Sequence, residues 1–399
     1  MSHFSFHTAG ESHGPALIAL VEGAPAGLPL LAASVDAELA RRQQGYGRGR
    51  RMQIEQDRME FLSGVRAGET LGSPIAMLIR NRDWANWEAI MDPAPRPEDD
   101  TPQGRNRQLT RVRPGHADLT GLLKFDRADA RDILERASAR ETTARVAAGA
   151  VARRLLAEFG VAIGSHLVRL GGVDALAPAI LPTDLNAAAD ASPLRCLDPV
   201  AERAMIARID AAKSEGNTLG GVCEVVVTGL PVGLGAHVSW DRKLDGRLAR
   251  AICSIPAVKG VEMGIGFAAA ERPGSEVHDE IEPAPGSPRT GNVRRRTNRS
   301  GGLEGGMTTG EPLVLRVAMK PIATLMRPLK TVDTSSGAPA DAAAERSDVT
   351  AVPAMGVIAE AMVALVLADA FTEKFGGDSL GEMRRNYDGY LARVAERIG

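Results

Sequence analysis

The stretch ARDILERASARETTARVAAGAVARRLLAEF, residues 130–159, is strongly helical in pattern, and the fold can be built outward from it. It contains no proline, and Gly160 follows it as a stop signal. Its centre, residues 147–150, consists of Ala and Gly only, so another backbone can pack closely against it. Arg136 and Arg140 stand four residues apart and are therefore predicted to share one face of this helix.

The segments on either side predict an α+β architecture. Apolar runs of strand type alternate with helical segments, and Ser34 is the predicted N-cap of the first helix. The strand candidates are 15–30, 52–80, 220–230 and 312–320, and the helix candidates are 34–44, 200–213, 243–256 and 353–374. No internal repeat and no Gly/Ser linker divides the sequence, so residues 1–399 are predicted to form one interwoven unit.

Composition and charge narrow the classes of function. A net charge of −2 excludes a global field that attracts nucleic acid or an anionic membrane. Arginine nevertheless supplies 41 of the 48 basic residues, and guanidinium groups bind phosphate and carboxylate through paired hydrogen bonds. Three widely spaced cysteines favour reduced thiols, and no spacing indicates a metal site. The N-terminus lacks a signal-peptide pattern, and the apolar stretch 351–371 is predicted to be a buried helix, so we expect a soluble, cytoplasmic protein.

Six polar stretches rich in Gly or Arg are the candidates for chemistry. Two of them contain a histidine beside a glycine, His13 and His116, and imidazole can transfer protons near neutral pH. The others offer arginines suited to phosphate and glycines that let backbone N–H groups approach a ligand. The six are AGESHG (9–14), RRQQGYGRGRR (41–51), RPGHAD (113–118), ERASARETT (135–143), TNRSGGLEGGMTTGEP (297–312) with KPIAT (320–324), and ERSD (345–348). Together they predict one site for an anionic ligand.

Alternative interpretations remain open on these residues alone. Each stretch has an ordinary structural explanation, such as a polar turn, a satisfied histidine or an ion-paired helix face. GESHG matches the G-x-S-x-G pattern of serine hydrolases with Ser12 as the nucleophile, although no long apolar strand precedes it. An arginine-rich RNA-binding protein is another class, which the near-zero net charge disfavours. The sequence contains no phosphate loop, no complete dinucleotide fingerprint and no HExxH motif.

Seven blocks of this sequence stand in the order found in the chorismate synthase family, and the chain resembles that family from residue 8 to about 380. The blocks are TAGESHG, GYGRGRRM, RPGHAD, RASARETTARVAAGAVAR, GGLEGGMTTGEP, MKPIAT and RSDVTAVPA. The resemblance implies an α+β fold of a single domain, with helices sandwiched between antiparallel β-sheets, assembled as a homotetramer.

The reaction implied by this resemblance is the last step of the shikimate pathway, which leads to the aromatic amino acids. 5-Enolpyruvylshikimate 3-phosphate loses phosphate and a hydrogen in a 1,4-elimination that gives chorismate. Reduced FMN is the implied cofactor, and it donates an electron transiently without net redox change. Some members of the family reduce FMN with NADPH, whereas others rely on an external source.

The resemblance also assigns roles to individual residues. His13 is expected to protonate the departing phosphate, and His116 to lie at the pyrimidine edge of the flavin. Asp348 is expected near flavin N5, where Ser12 and Ser138 complete a proton relay. The FMN contacts are expected at Arg136, Ala137, Ser138, Pro256, Ala257, Gly306, Lys320, Pro321, Ile322, Ala323, Thr324 and Arg346.

A further set of arginines is expected to bind substrate or NADPH. These are Arg42, Arg48, Arg113 and Arg140, with Arg346 beside them. Ala323, Thr309 and Pro256 replace side chains that are common in the family, so contacts to FMN at these positions are expected through the backbone.

Overall fold

The structure is a computed structural model that describes residues 4–49, 56–95, 107–343 and 348–397. Its α-helices are α1 (Ala32–Gln43), α2 (Asp118–Phe125), α3 (Arg131–Ala137), α4 (Thr142–Ala157), α5 (Leu185–Asp190), α6 (Pro199–Ser214), α7 (Leu244–Cys253), α8 (Val352–Phe375) and α9 (Leu380–Arg397). Its β-strands are β1 (Ser5–Ala9), β2 (Ala16–Glu22), β3 (Met59–Phe61), β4 (Val65–Arg66), β5 (Glu69–Thr70), β6 (Ile75–Arg80), β7 (Ala162–Leu170), β8 (Val173–Asp174), β9 (Gly221–Thr228), β10 (Val258–Met263), β11 (Ile281–Pro283), β12 (Val293–Arg295), β13 (Leu303–Glu304), β14 (Met307–Thr308), β15 (Leu313–Met319), β16 (Lys330–Val332) and β17 (Pro339–Asp341).

Two antiparallel sheets form the outer layers. The four-stranded sheet has the order β1-β2-β6-β3, and the five-stranded sheet has the order β10-β15-β9-β7-β8. The remaining strands pair as the hairpins β4-β5, β11-β12, β13-β14 and β16-β17. Alternate residues of β2 and β6 are buried, as expected for strands with one face on a core.

Helices α1, α4 and α8 lie between the two large sheets. Helix α4 packs on β2 of the first sheet, α8 packs on β7 and β9 of the second, and the two helices pack on each other. One continuous apolar core runs through these elements. The prediction of an α+β fold with helices sandwiched between antiparallel sheets is therefore confirmed.

Helix α8 is the most apolar helix of this layer. Its length and composition would suit a membrane span, yet most of it is buried inside the protein. Gly149 of α4 permits its close approach, because a Cβ at that position would lie 2.4 Å from Cβ of Ala361. The predictions of a buried helix at 351–371 and of close packing at 147–150 are both confirmed.

A buried carboxylate in α8 ties three arginines together. Oxygen atoms of Glu360 lie 2.9 Å from Nη1 of Arg41, 2.6 Å from Nη1 of Arg153 and 2.9 Å from Nη2 of Arg195. Burial opposes ionisation of Glu360, but the three guanidinium groups outweigh it and lower the pKa to about 2. Arg41 belongs to α1, so this cluster fixes α1 on α8, and the next residue of α1 is Arg42.

Residues 130–159 do not form the one continuous helix that their pattern predicted. Helix α3 ends at Ala137, Ser138 is extended with φ −67° and ψ 144°, and a 3₁₀ turn at Ala139–Glu141 leads into α4. The hydroxyl of Ser138 accepts the backbone N–H of Arg140 at 3.3 Å, which caps the new turn. Arg136 and Arg140 therefore do not share a helix face, and that prediction is wrong.

Two helix boundaries also differ from their predictions. Helix α1 begins at Ala32, and Ser34 lies inside its first turn, where its hydroxyl donates to the carbonyl of Leu31 at 2.6 Å. The predicted helix at 243–256 ends at Cys253, so residues 254–257 form the link to β10.

Candidate active site

The loop at residues 9–14 joins β1 to β2. Gly10 has φ 104°, and a Cβ there would lie 2.4 Å from the carbonyl oxygen of Ala16, so only glycine fits. The side-chain amide of Asn81 donates to the carbonyls of Glu11 and Gly14 at 3.2 and 2.7 Å. The strands on both sides and this amide therefore hold the loop in one shape.

His13, in this loop, is held from two directions. Its Nδ1 lies 2.9 and 3.0 Å from the two carboxylate oxygens of Glu135, and its backbone N–H donates to Oε2 at 2.9 Å. Its ring stacks on Trp87 with a centroid distance of 3.8 Å and an interplanar angle of 23°. Nη1 of Arg131 lies 3.6 Å from Oε1 of Glu135. Glu135 begins the candidate stretch 135–143 but was not linked to His13, and Trp87 lies outside the candidate stretches, because neither residue has a spacing that ties it to His13.

Ser12 and Ser138 meet although 126 positions separate them in the chain. The Ser138 hydroxyl donates to the Ser12 hydroxyl at 3.1 Å, and Ser12 is buried. The break after α3 makes this contact, because it turns Ser138 toward the loop. A serine-hydrolase elbow needs a strand, a sharp turn and a helix, whereas Ser12 lies between two strands, so that alternative loses its structural basis.

Arg42 and Arg140 converge on one carboxylate that the sequence analysis did not single out. Nη1 of Arg140 lies 2.5 Å from Oδ1 of Asp57, and its Nε donates to Oδ1 of Asn81 at 2.9 Å. Nη1 of Arg42 lies 3.8 Å from Oδ2 of Asp57, and its Nε donates to the hydroxyl of Thr142 at 3.0 Å. Both guanidinium groups are buried.

Arg48 and Asp348 stand beside this pair. Nε of Arg48 lies 2.9 Å from Oδ2 of Asp348, whose Oδ1 accepts the backbone N–H of Gly49 at 2.6 Å. Burial, together with the charges of Arg48 and Arg140, lowers the pKa of Arg42 to about 9, against the opposing charges of Asp57 and Asp348. Arg346, expected in the same set, lies outside the described residues.

This group of residues, Arg42, Arg48, Arg140, Asp57 and Asp348, is called the cationic cluster below. It contains three guanidinium groups and two carboxylates. Within the part of the chain that the structure describes, the buried Nη1 of Arg42 has no hydrogen-bond partner. Buried polar groups are ordinarily satisfied, so this donor, with the other guanidinium groups near it, fits an anion as its partner.

A second group surrounds His116 at the start of α2. Asp118 lies 2.5 Å from Nδ1 of His116 and 2.8 Å from Nε of Arg113. Burial raises the pKa of Asp118, but the hydrogen bonds from His116 and Arg113 outweigh it and hold the pKa well below its usual range. Arg113 also donates to the hydroxyl of Thr324 at 3.1 Å.

Lys320 joins this second group to the end of β15. Its Nζ donates to the carbonyl of Gly115 at 2.8 Å, and its backbone N–H donates to the carbonyl of Ala257 at 2.9 Å. Burial lowers the pKa of Lys320, and the charge of Lys259 lowers it further. The backbone bond thus places Ala257, and with it the link that contains Pro256, next to the start of the 320–324 segment.

The remaining predicted FMN residues lie in different places. Arg136 donates to the backbone carbonyls of Thr8 and Gly10, so it braces the loop that carries His13. Arg136 and Ala137 also line an open cavity of about 840 Å³ beside that loop. Gly306 packs on Lys243, to which a Cβ at residue 306 would approach within 2.7 Å. Its predicted contact with FMN stays a prediction.

Comparison with known proteins identifies the family. Residues 4–372 match the sequence model of chorismate synthase. The chain belongs to the chorismate synthase family. Chorismate synthase of Symbiobacterium thermophilum is 58% identical over 391 residues, which cover 98% of this chain and 99% of the relative. Chorismate synthase of Salinispora tropica is 58% identical over 395 residues, 98% of this chain and 99% of the relative.

A solved structure supports the same assignment. A crystal structure of chorismate synthase superposes with a TM-score of 0.78 at 42% identity and covers 98% of both chains. Membership of the chorismate synthase family makes this chain an enzyme, a lyase that acts on a phosphate ester in aromatic amino acid biosynthesis.

Proposed function

We propose that this chain catalyses the 1,4-elimination of phosphate from 5-enolpyruvylshikimate 3-phosphate, giving chorismate, with reduced FMN as the cofactor. The cationic cluster is the observation that carries the proposal, because its members Arg42, Asp57 and Arg140 are buried and its three guanidinium groups lie beside the loop that presents His13. Such a cluster suits a small ligand with several negative charges.

The substrate carries a phosphate and two carboxylates, and the arginines supply the matching donors. Arg42, Arg48 and Arg140 bind these groups, and the pairs with Asp57 and Asp348 hold the guanidinium planes in place before the substrate arrives. The buried Nη1 of Arg42 gains an acceptor when the anion binds. Arg113 and Arg346 complete the set in this proposal.

The residues around Lys320 fit a cofactor that carries a phosphate. Lys320 and Lys259 place two positive charges close together, and Thr324 and Arg113 add donors beside His116. Residues Arg136, Ala137, Ser138, Pro256, Ala257, Gly306, 320–324 and Arg346 would hold FMN. When bound, reduced FMN supplies the transient electron that the elimination needs.

The chain itself manages the protons. His13 donates a proton to the departing phosphate oxygen, which lowers the cost of expelling a charged leaving group. His116 holds a proton beside the cofactor, with Asp118 fixing its orientation. The hydrogen-bonded hydroxyls of Ser12 and Ser138, with Asp348, accept and pass on the proton that the substrate loses.

Three further properties belong to the proposal. Residues 1–399 act as one domain, which the continuous core through both sheets supports. The chain assembles as a homotetramer and works in the cytoplasm, with neither a nucleic acid nor a membrane as partner. FMN is reduced either by NADPH in the same site or by an external source.

The test is an anaerobic assay with chemically reduced FMN and the substrate. Chorismate is followed by its absorbance and phosphate by a coupled assay, and the two are expected to appear in equal amounts. Omitting the flavin is expected to abolish both, and replacing chemical reduction by NADPH separates the two routes of reduction. Normal flavin binding without either product would refute the proposal.

A further inference from the structure

We infer that Glu135 is the positioning residue of His13, and that the hairpin of α2 and α3 orients both histidines through one buried carboxylate each. The inference rests on the proposed function, in which His13 and His116 transfer protons. Glu135 lies in α3 and Asp118 begins α2, so one small unit carries both carboxylates.

The contacts of Glu135 determine which ring nitrogen of His13 transfers the proton. A carboxylate is an acceptor only, so Nδ1 carries a hydrogen when it lies 2.9 and 3.0 Å from the two oxygens. The side chain of Glu135 is 2% exposed, so competition from water for its oxygens is limited. The proton that His13 delivers is therefore held on Nε2.

Trp87 restrains the same ring in the perpendicular direction. Its indole stacks on the imidazole, and Nε1 of Trp87 donates to Oδ2 of Asp83 at 2.9 Å, which holds the indole in turn. Arg131 places its guanidinium carbon 5.3 Å from the centre of the indole ring and its Nη1 3.6 Å from Glu135. The ring of His13 is thus fixed in its plane by Glu135 and on one face by Trp87.

His116 repeats the arrangement at the other helix of the hairpin. Its Nδ1 lies 2.5 Å from Oδ1 of Asp118, which is also 2% exposed. The two helices pack so closely that a Cβ at Gly121 would lie 2.4 Å from Cγ2 of Ile133. The closely packed hairpin therefore places a buried carboxylate at Nδ1 of both imidazoles, although Nη2 of Arg113 also lies 3.1 Å from Nδ1 of His116, and for His13 it leaves Nε2 as the atom that transfers the proton.

The test combines the tautomer of His13 with turnover in three variants. Glu135→Gln removes one of the two acceptors, because its amide offers one oxygen and one NH₂ group to the two donors of His13. Glu135→Asp keeps the carboxylate, and Glu158→Gln makes the same chemical change at a glutamate that pairs with Arg154 and Arg384. The probe is ¹⁵N-labelled histidine, whose ring nitrogen shifts distinguish the two tautomers.

The wild type and Glu158→Gln are expected to show His13 with hydrogen on Nδ1. Glu135→Gln is expected to show a substantial share with hydrogen on Nε2 and to lower turnover about tenfold to a hundredfold, with dissociation constants for FMN and substrate within about twofold. Glu135→Asp is expected to regain the Nδ1–H form and part of the turnover.

Two results would overturn the inference. One is wild-type tautomer and turnover in Glu135→Gln, and the other is lost turnover with an unchanged tautomer, since Glu135 would then act through packing alone. If Glu135→Gln does not fold, Glu135→Asp decides by the same two measurements. A wild type that makes no chorismate refutes the proposed function, while the ring shifts still report on the role of Glu135.

Discussion

Nη1 of Arg140 lies 2.5 Å from Oδ1 of Asp57, and the two side chains are 3% and 0% exposed. The same carboxylate lies 3.8 Å from Arg42, so one buried negative charge serves two buried guanidinium groups. One carboxylate therefore holds the two cations together. In the proposed function an anionic ligand adds negative charge beside them, so Asp57 is expected to influence both the stability of the fold and its response to anions.

Replacing Asp57 by Asn should change both the stability of the fold and the stabilisation that an added anion provides. The free energy of unfolding is expected to fall by about 3–5 kcal/mol, because a buried ion pair loses one partner. Added inorganic phosphate should recover more stability in Asp57→Asn than in the wild type, since binding to the folded state alone stabilises it. Thermal unfolding with increasing phosphate measures both effects.

The matched control for that experiment is Glu60→Gln. Glu60 pairs with Arg80 at 2.9 Å, but both side chains are more than half exposed, so solvent screens the pair. The free energy of unfolding of Glu60→Gln, and the stability that this variant gains from phosphate, should both match the wild-type values. An equal phosphate response in Asp57→Asn and the wild type would contradict the account of Asp57.

His13→Ala and Arg48→Ala should separate catalysis from binding. Loss of an acid–base group typically lowers turnover about 10²–10⁴-fold, so His13→Ala should do so while leaving the dissociation constants for FMN and substrate nearly unchanged. Arg48→Ala should chiefly weaken substrate binding, because a paired anion contact is lost. Near-native turnover in His13→Ala would make that histidine structural.

The acid stability of the chain should depend on Glu360. Its pKa of about 2 in the folded chain lies below its ordinary value of 4.5, so the unfolded chain binds the proton more readily. The ionised carboxylate therefore stabilises the fold above about pH 4.5, by about 3 kcal/mol, and this contribution is lost as the pH falls toward 2.

Glu360→Gln tests this dependence by urea unfolding at a series of pH values. At pH 7 the variant should be less stable by about 3–5 kcal/mol, because three arginines lose their buried counterion. Between pH 4.5 and 2 its stability should decline less steeply than that of the wild type. Parallel curves over this range would show that Glu360 does not titrate in the way described.

The close approach of α4 and α8 should make Gly149 intolerant of even one methyl group. Gly149→Ala is expected to destabilise the protein by about 1–3 kcal/mol through overpacking against Ala361, although alanine favours helix. Gly389→Ala in α9 is the control, because a Cβ there meets nothing within 4 Å, and it should stabilise by about 0.5–1 kcal/mol. Chemical denaturation measures both, and equal effects would contradict the packing.

Local patterns in the sequence predicted which helices and strands form more accurately than they predicted the residues at which these elements begin and end. The buried helix at 351–371 and the small residues at 147–150 follow from composition, and the structure confirms both. The break at Ser138 was not predicted, because no Pro or Gly marks it and the contact that Ser138 makes there is with Ser12, which is distant in the sequence. Tertiary contacts of this kind override helix propensity.

The residues of the candidate site also divide into those that local sequence patterns reveal and those that only tertiary contacts reveal. Histidines and arginines beside glycine were found because their chemistry is visible in short stretches. Their partners were not recognised, since Asp57 and Trp87 lie outside the candidate stretches, and Glu135, although it begins one of them, has no spacing that links it to His13. The sequence shows directly which residues are charged. Which carboxylate orients each of them depends on the tertiary structure.

Consecutive arginines of α1 serve two different buried sites, Arg41 at Glu360 and Arg42 at Asp57. A helix docked one residue out of register would break the pairing of Arg41 with Glu360 and of Arg42 with Asp57, at a cost of several kcal/mol. The two ion pairs therefore fix the register of α1 against its neighbours. The same packing that buries Arg41 beside Glu360 also holds Arg42 in the position from which we propose that it binds an anion.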